Sequence, residues 1–225
     1  MKNLPTVAAN FALSADGKVS TQAGDPSLFT SKADKRRLRE IRASGDAVLV
    51  GASTVAADTM SMGISDPDLR RRRQARGLPP EPLRVIASRS GNLDPNLKVF
   101  HHELPPPIVF TTEQMPRHTV QRLVPLADLW VFNRALEPRS MLKILAHDYG
   151  VKRVVCEGGP RLFRALAEAD LIDTLYLTIT PWIFSGSEAP TLTGPRGDFF
   201  ALPRGFRITQ SRKVGAECFL TFAKA

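Results

Sequence analysis

Apolar and polar positions along the chain follow two periods, and each change of period marks an element. Residues 6–13 are apolar and extended, and Ser14-Ala15-Asp16-Gly17 after them predicts a strand closed by a tight turn. Leu38 and Ile41 lie three apart among basic residues, which predicts a helix from a cap at Thr30 or Ser31 to about Ser44-Gly45, its exposed face cationic. Residues 47–50 are wholly apolar, the pattern of a strand buried on both faces, and Gly51-Ala52-Ser53-Thr54 opens the next turn. Residues 83–87, 108–111 and 129–132 read as further strands, the first ending at Ser88-Arg89, and residues 139–147 read as a helix opened by Pro138. Residues 151–156 are strand-like, and Leu162, Phe163, Leu166 and Ala167 then give an amphipathic helix to Ala169.

The last third changes character, because residues 174–180, 205–211 and 218–223 are strand-like with no long helix between them. The alternation predicts a single α/β domain over 1–225, with a mostly parallel sheet flanked by helices and completed by antiparallel C-terminal strands.

Composition narrows the function classes. A chain of 225 residues buries roughly 70% of its unfolded surface and needs no covalent staples. Its two cysteines, Cys156 and Cys218, form no Cys-x-x-Cys pair, so neither a disulfide framework nor a thiolate zinc site is expected and a reducing, cytoplasmic setting is. The first ten residues are too short and too little apolar for a signal peptide, and no stretch reaches the ~20 apolar residues of a membrane helix.

The net charge of +9 is concentrated in two runs, one from Lys32 to Arg42 and one from Arg70 to Arg76. The second is compatible with a solvated helix face, an anionic small-molecule site or a nucleic-acid surface. Zinc-finger spacing, a recognition-helix signature and an aromatic strand platform are all missing, so no nucleic-acid partner is expected. A phosphorylated ligand accounts for the charge more economically.

Chemistry is expected where predicted strands end, since ligands of open α/β sheets bind beyond their carboxyl ends. Those ends carry Asp16-Gly17, Ser53-Thr54 with Asp58, Ser88-Arg89, and Glu157-Gly158-Gly159. Two glycines between a strand and a helix make either a plain tight turn or a cradle whose backbone N–H groups approach a phosphate. An arginine after a strand, here Arg89, suits the 2′-phosphate of NADP by charge-assisted hydrogen bonds. The spacing does not match the Gly-x-Gly-x-x-Gly fingerprint, so a different dinucleotide fold is required.

Taken in order, Asn10 to Lys18, Ile41-Arg42-Ala43, Asp46 to Gly51 with Thr54-Val55 and Asp58, Glu157-Gly158-Gly159, Leu171-Ile172-Asp173 and Pro181 to Thr191 resemble the pyrimidine reductase family of riboflavin biosynthesis. The resemblance covers nearly the whole chain. It implies the dihydrofolate-reductase-like fold, NADPH as cofactor, and hydride transfer to a phosphoribosylaminopyrimidine that opens the ribosyl group to a ribityl chain. Carried over by position, Ala12, Thr54, Asp58, Ser88, Gly158 and Gly159 would line the cofactor site, with Arg89 added for the 2′-phosphate. Asp16, Arg42 and Glu157 would contact substrate, although Asp16 also reads as a turn residue and Arg42 as an exposed helix residue.

Glu157 and Asn10 are the catalytic candidates. Glu157 would donate a proton or orient a donor; Asn10 stands where many bifunctional relatives carry lysine. Relatives are commonly homodimers through their C-terminal strands.

Two departures stand out. The family's Asp-Pro-x-Leu after the cofactor-site aspartate is replaced by Thr59 to Ser65, and the later Asp66-Pro67 reads as a helix cap with proline at the first helical position. The substrate-side loop is therefore rebuilt. The deaminase signature of bifunctional relatives is missing as well, so a stand-alone reductase is expected, with reduction of another folate-like or pterin-like heterocycle, or non-catalytic nucleotide binding, as the alternatives.

Overall fold

The computed structural model describes residues 4–21, 29–58, 60–101, 103–194 and 199–225, with Asp58 described by its backbone alone. Nine strands among them form one sheet: β1 (Thr6–Leu13), β2 (Ala47–Gly51), β3 (Leu83–Ser88), β4 (Ile108–Thr112), β5 (Asp128–Phe132), β6 (Arg153–Cys156), β7 (Thr174–Ile179), β8 (Phe206–Val214) and β9 (Glu217–Lys224). The spatial order is β5-β4-β3-β2-β6-β1-β7-β9-β8. Pairings from β5 through β7 are parallel, and β9 then runs antiparallel to both β7 and β8. The expected mixed sheet with antiparallel C-terminal strands is what forms.

Among the described residues six α-helices connect the strands: α1 (Lys32–Ala43), α2 (Ala52–Asp58), α3 (Pro67–Ala75), α4 (Arg117–Leu123), α5 (Pro138–Asp148) and α6 (Pro160–Glu168). β2 is buried at every position and β6 at all but its first, which is why both read as continuous apolar runs. The two sheet faces carry separate cores, one around Phe11, Val154, Leu145 and Leu166, the other around Val48, Val50, Met62 and Leu123.

Both ends of α1 are completed by distant residues. Ser31 caps its start and accepts from Asp34 N, while Glu217 of β9 accepts from Ser31 N at 2.7 Å and from Ser31 Oγ at 2.5 Å. At the other end Arg73 of α3 donates to Ala43 O and Gly45 O, and its side chain is almost fully buried at 1% exposure.

That burial corrects the reading of the second arginine run as a solvated face. Within it Arg71 pairs with Asp68 and Arg70 with Glu81, whereas Arg73 is an internal donor. Asp66 is the cap of α3 with Pro67 in its first turn, as the sequence suggests. Residues 51–54, expected as an open turn, instead pass straight from β2 into α2.

Candidate active site

Strand β6 enters the sheet between β1 and β2, so three parallel strands end side by side at the point where the chain reverses its direction across the sheet. A cavity of about 510 Å³ opens there, within the usual range for a small-molecule site. β1 contributes Asn10, Phe11 and Ala12; α1 contributes Asp34, Lys35 and Leu38; α2 contributes Ser53, Thr54 and Ala57. The segment after β6 contributes Glu157, Gly158, Gly159, Pro160 and Arg161.

The glycine turn is set by its neighbours. Gly158 has φ 145° and Gly159 φ 86°, backbone that side-chain-bearing residues rarely adopt. A Cβ on Gly158 would stand 3.0 Å from Thr54 Cγ2, and one on Gly159 would stand 3.3 Å from Gly51 Cα. Gly51 N donates to Gly158 O at 3.2 Å, which stitches the turn to the end of β2. Gly159 is the cap of α6 and Pro160 lies in its first turn, so the bare main chain leads directly into a helix N-terminus on the cavity wall.

Glu157 lies beside this turn with its side chain 1% exposed. Arg42 holds it: Nε donates to Oε1 at 2.8 Å and to Oε2 at 3.0 Å, and Nη2 donates to Oε2 at 2.5 Å. A third arm of the same guanidinium, Nη1, donates to Gly63 O at 2.7 Å. Arg42 is thus neither an exposed helix residue nor part of the cavity lining; it reaches the site through Glu157. A carboxylate accepting from an arginine at both oxygens is an acceptor, which favours an orienting role over that of proton donor.

The other expected positions divide. Asn10, Ala12, Thr54, Glu157, Gly158 and Gly159 come together around the cavity. Asp16 does not line it. Its Oδ1 accepts from Ser14 Oγ at 2.6 Å and from Phe184 N at 3.1 Å, and its Oδ2 from Ser185 N at 2.7 Å. The Ser14 hydroxyl, followed by the backbone donors, holds its carboxyl down at about 2. Asp16 lies in the turn after β1 and clasps the loop at Phe184 and Ser185.

Ser88 is buried at the end of β3 and Arg89 is exposed just beyond, one strand further from the cavity than β2. The side chain of Asp58 lies outside the described residues. The described residues of the rebuilt loop, 60–65, are also not on the cavity wall. Met62 and Ile64 are buried in the cores, and the loop backbone is fastened by Arg42 at Gly63 O, Arg84 at Ser61 O and Glu81 at Ile64 N.

The sequence reading missed Asp34, Lys35 and Arg161. Asp34 occupies the third helical position after Ser31, where an acid is ordinarily taken for a cap partner. Two carboxylates stand among the six basic side chains of this helix, and Asp34, unlike Glu40, has no basic residue four positions before it to pair with; that was the available signal.

Over residues 5–219 the chain matches the family described as the RibD C-terminal domain. It is 29% identical over 211 residues to the 2,5-diamino-6-ribosylamino-4(3H)-pyrimidinone 5′-phosphate reductase of Archaeoglobus fulgidus, covering 94% of both chains. The relative of the same name from Methanothermobacter thermautotrophicus is 30% identical over 193 residues, covering 86% of this chain and 85% of that one. A solved pyrimidine reductase-like protein from Corynebacterium diphtheriae superposes with a TM-score of 0.87 at 22% identity, covering 98% of this chain and 92% of that one. That likeness establishes the shared dihydrofolate-reductase-like arrangement of sheet and helices.

Proposed function

Because the chain belongs to the RibD C-terminal domain family, we propose that it is an NADPH-dependent reductase that opens the ribosyl group of a phosphoribosylaminopyrimidine to a ribityl chain in riboflavin biosynthesis. The observation carrying this reading is the junction of a bare glycine turn and an arginine-held carboxylate on one cavity wall, at the ends of β1, β6 and β2. The relatives from Archaeoglobus and Methanothermobacter, whose names specify such a substrate, support it over most of the chain.

The residues present fit a nicotinamide dinucleotide. Side chains are excluded at Gly158 and Gly159 by Thr54 and Gly51, leaving main chain for a pyrophosphate, and the Ser53 and Thr54 hydroxyls line the same wall. Ser88 and Arg89 continue this edge of the sheet toward β3, where Arg89 would read the 2′-phosphate that separates NADPH from NADH. When bound, the cofactor supplies the hydride that reduces the anomeric carbon of the ring-opened imine.

The protein's own groups position the acceptor. Glu157, fixed by Arg42, offers its remaining lone pairs to ribosyl hydroxyls, and the Asn10 amide both donates to and accepts from the substrate. Phe11, Val19, Phe29 and Leu38 form apolar walls that keep water from the reacting carbon. Most of the acceleration then comes from positioning.

The two cysteines are free thiols, in keeping with a cytoplasmic enzyme. β8, an outer strand exposed over most of its length, offers an edge on which a second copy can pair to give a homodimer.

The test is NADPH oxidation with the aminated and the deaminated pyrimidine phosphates, using dihydrofolate as a control. Turnover of a pyrimidine phosphate, with NADPH preferred to NADH, is expected. NADPH binding without turnover of either pyrimidine would overturn the assignment.

A further inference from the structure

The first turn of α1 holds a carboxylate released from the work its position implies. Asp34 is the third helical residue after Ser31, and in a capping box its side chain would turn back to the Ser31 N–H. Half of that box forms, since Asp34 N donates to Ser31 Oγ at 3.2 Å. The other half is supplied by Glu217, which takes the Ser31 N–H at 2.7 Å. Asp34 is left facing the cavity, 8% exposed.

Its orientation is fixed from behind. The hydroxyls of Thr178 and Thr30 hydrogen-bond to its carboxylate. Arg37 donates to Thr178 Oγ1 at 3.1 Å, which commits the Thr178 hydroxyl proton to Asp34. The other donors of Arg37 go to Leu177 O, Leu220 O and Thr221 Oγ1, so this cation orients the threonine while its charge acts on Asp34. Two hydroxyl donors fill about half of the roughly four lone-pair sites of a carboxylate. Burial, opposed by these hydroxyls and aided by the charge of Glu217, pushes the Asp34 carboxyl above its usual value. The group stands to gain from N–H donors on a ligand.

The two candidate pyrimidines differ on one edge. An aminated 4(3H)-pyrimidinone presents the ring N3–H beside the 2-amino N–H, two parallel donors matched to the two oxygens of a carboxylate. The deaminated ring presents N3–H beside a 2-oxo group, an acceptor facing an acceptor. We propose that Asp34 is the residue that selects between them, accepting both donors of the aminated ring and rejecting the 2-oxo ring. The inference rests on the reductase reading above and adds the identity of the preferred substrate.

The experiment compares kcat/KM for the two pyrimidine phosphates on the full chain, wild type and Asp34→Asn. An amide presents one acceptor and one donor, the complement of the deaminated edge. Wild type is expected to favour the aminated substrate by about 100-fold, because polar groups left unpaired in a buried site discriminate strongly. Asp34→Asn should bring the ratio close to one or invert it, with the deaminated rate rising; Asp34→Ser should lower the aminated rate without that rise. NADPH titration and circular dichroism establish that each variant is folded.

Competition on the wild type reads the same preference without a mutation. 2-Amino-4(3H)-pyrimidinone should inhibit at least about tenfold better than uracil. Equal losses on both substrates, or equal inhibition by the two rings, overturns the selection role and leaves the reductase standing. Failure of wild type to reduce either pyrimidine while binding NADPH overturns the reductase reading itself.

Discussion

At Glu157 the chain leaves β6 and spends its first polar side chain on an arginine 115 residues earlier in sequence. Removing one partner of a buried pair leaves the other uncompensated, at a cost of about 3–5 kcal/mol. Arg42→Met should therefore lower unfolding stability by about 3 kcal/mol in urea titrations, and adding Glu157→Gln should restore part of it. Glu157→Gln alone should slow single-turnover hydride transfer by about 100-fold, in the range for a lost positioning or proton-handling group, while NADPH affinity stays within about twofold. Unchanged transfer would remove Glu157 from the chemistry.

Asp16 gives a pH signature of a different kind. Its carboxyl is depressed to about 2, so the clasp on Phe184 and Ser185 is complete above the ordinary carboxylate value of 3.8 and is lost as pH falls through about 2. Trp182, whose carbonyl accepts from Ala15 N, should report that release by fluorescence in a Trp130→Phe background. A signal flat across that window would count against the clasp. Little of this pairing was legible in advance. The glutamate, the glycines and the arginine were each visible as residue types, but their meeting depends on the sheet order, which no local pattern encodes.

Among the elements, α1 is the one most dependent on others. Glu217→Ala removes the acceptor for Ser31 N and should cost about 1–2 kcal/mol, the range for losing a cap, with a lower thermal midpoint. Gly159→Ala forces a side chain onto φ 86° and toward Gly51, and should cost a further 1–2 kcal/mol or about that, together with weaker NADPH binding measured by fluorescence quenching. The strands were legible because β2 and β6 are buried nearly throughout and show as apolar runs. The short helices were not. α2 and α4 span seven residues each, and Pro116, the cap residue of α4, offers no side-chain hydrogen bond, so neither the period nor a cap announced them. The arginine run was legible as a helix but not as a helix with an inward face, because a buried guanidinium needs carbonyls that only folding brings near.

In the whole molecule, much of the basic excess is internal. Arg37, Arg73 and Arg84 donate to backbone carbonyls and Arg42 to Glu157, so these four guanidinium groups serve internal contacts. Of the two edge strands, β5 and β8, β8 is the longer and more exposed. If two copies pair there, sedimentation should give a dimer that Ile208→Lys weakens, since Ile208 is 60% exposed on that strand. The sheet order also has a consequence for the time course of assembly. β1 and β2 are made early, yet each waits for β6, whose neighbourhood contacts them across 106 to 146 residues of intervening chain. Until that strand arrives β1 and β2 have no partner between them and the cavity wall that follows β6 is missing, so during synthesis the joining of the two halves of the sheet and the forming of the candidate pocket are a single late event.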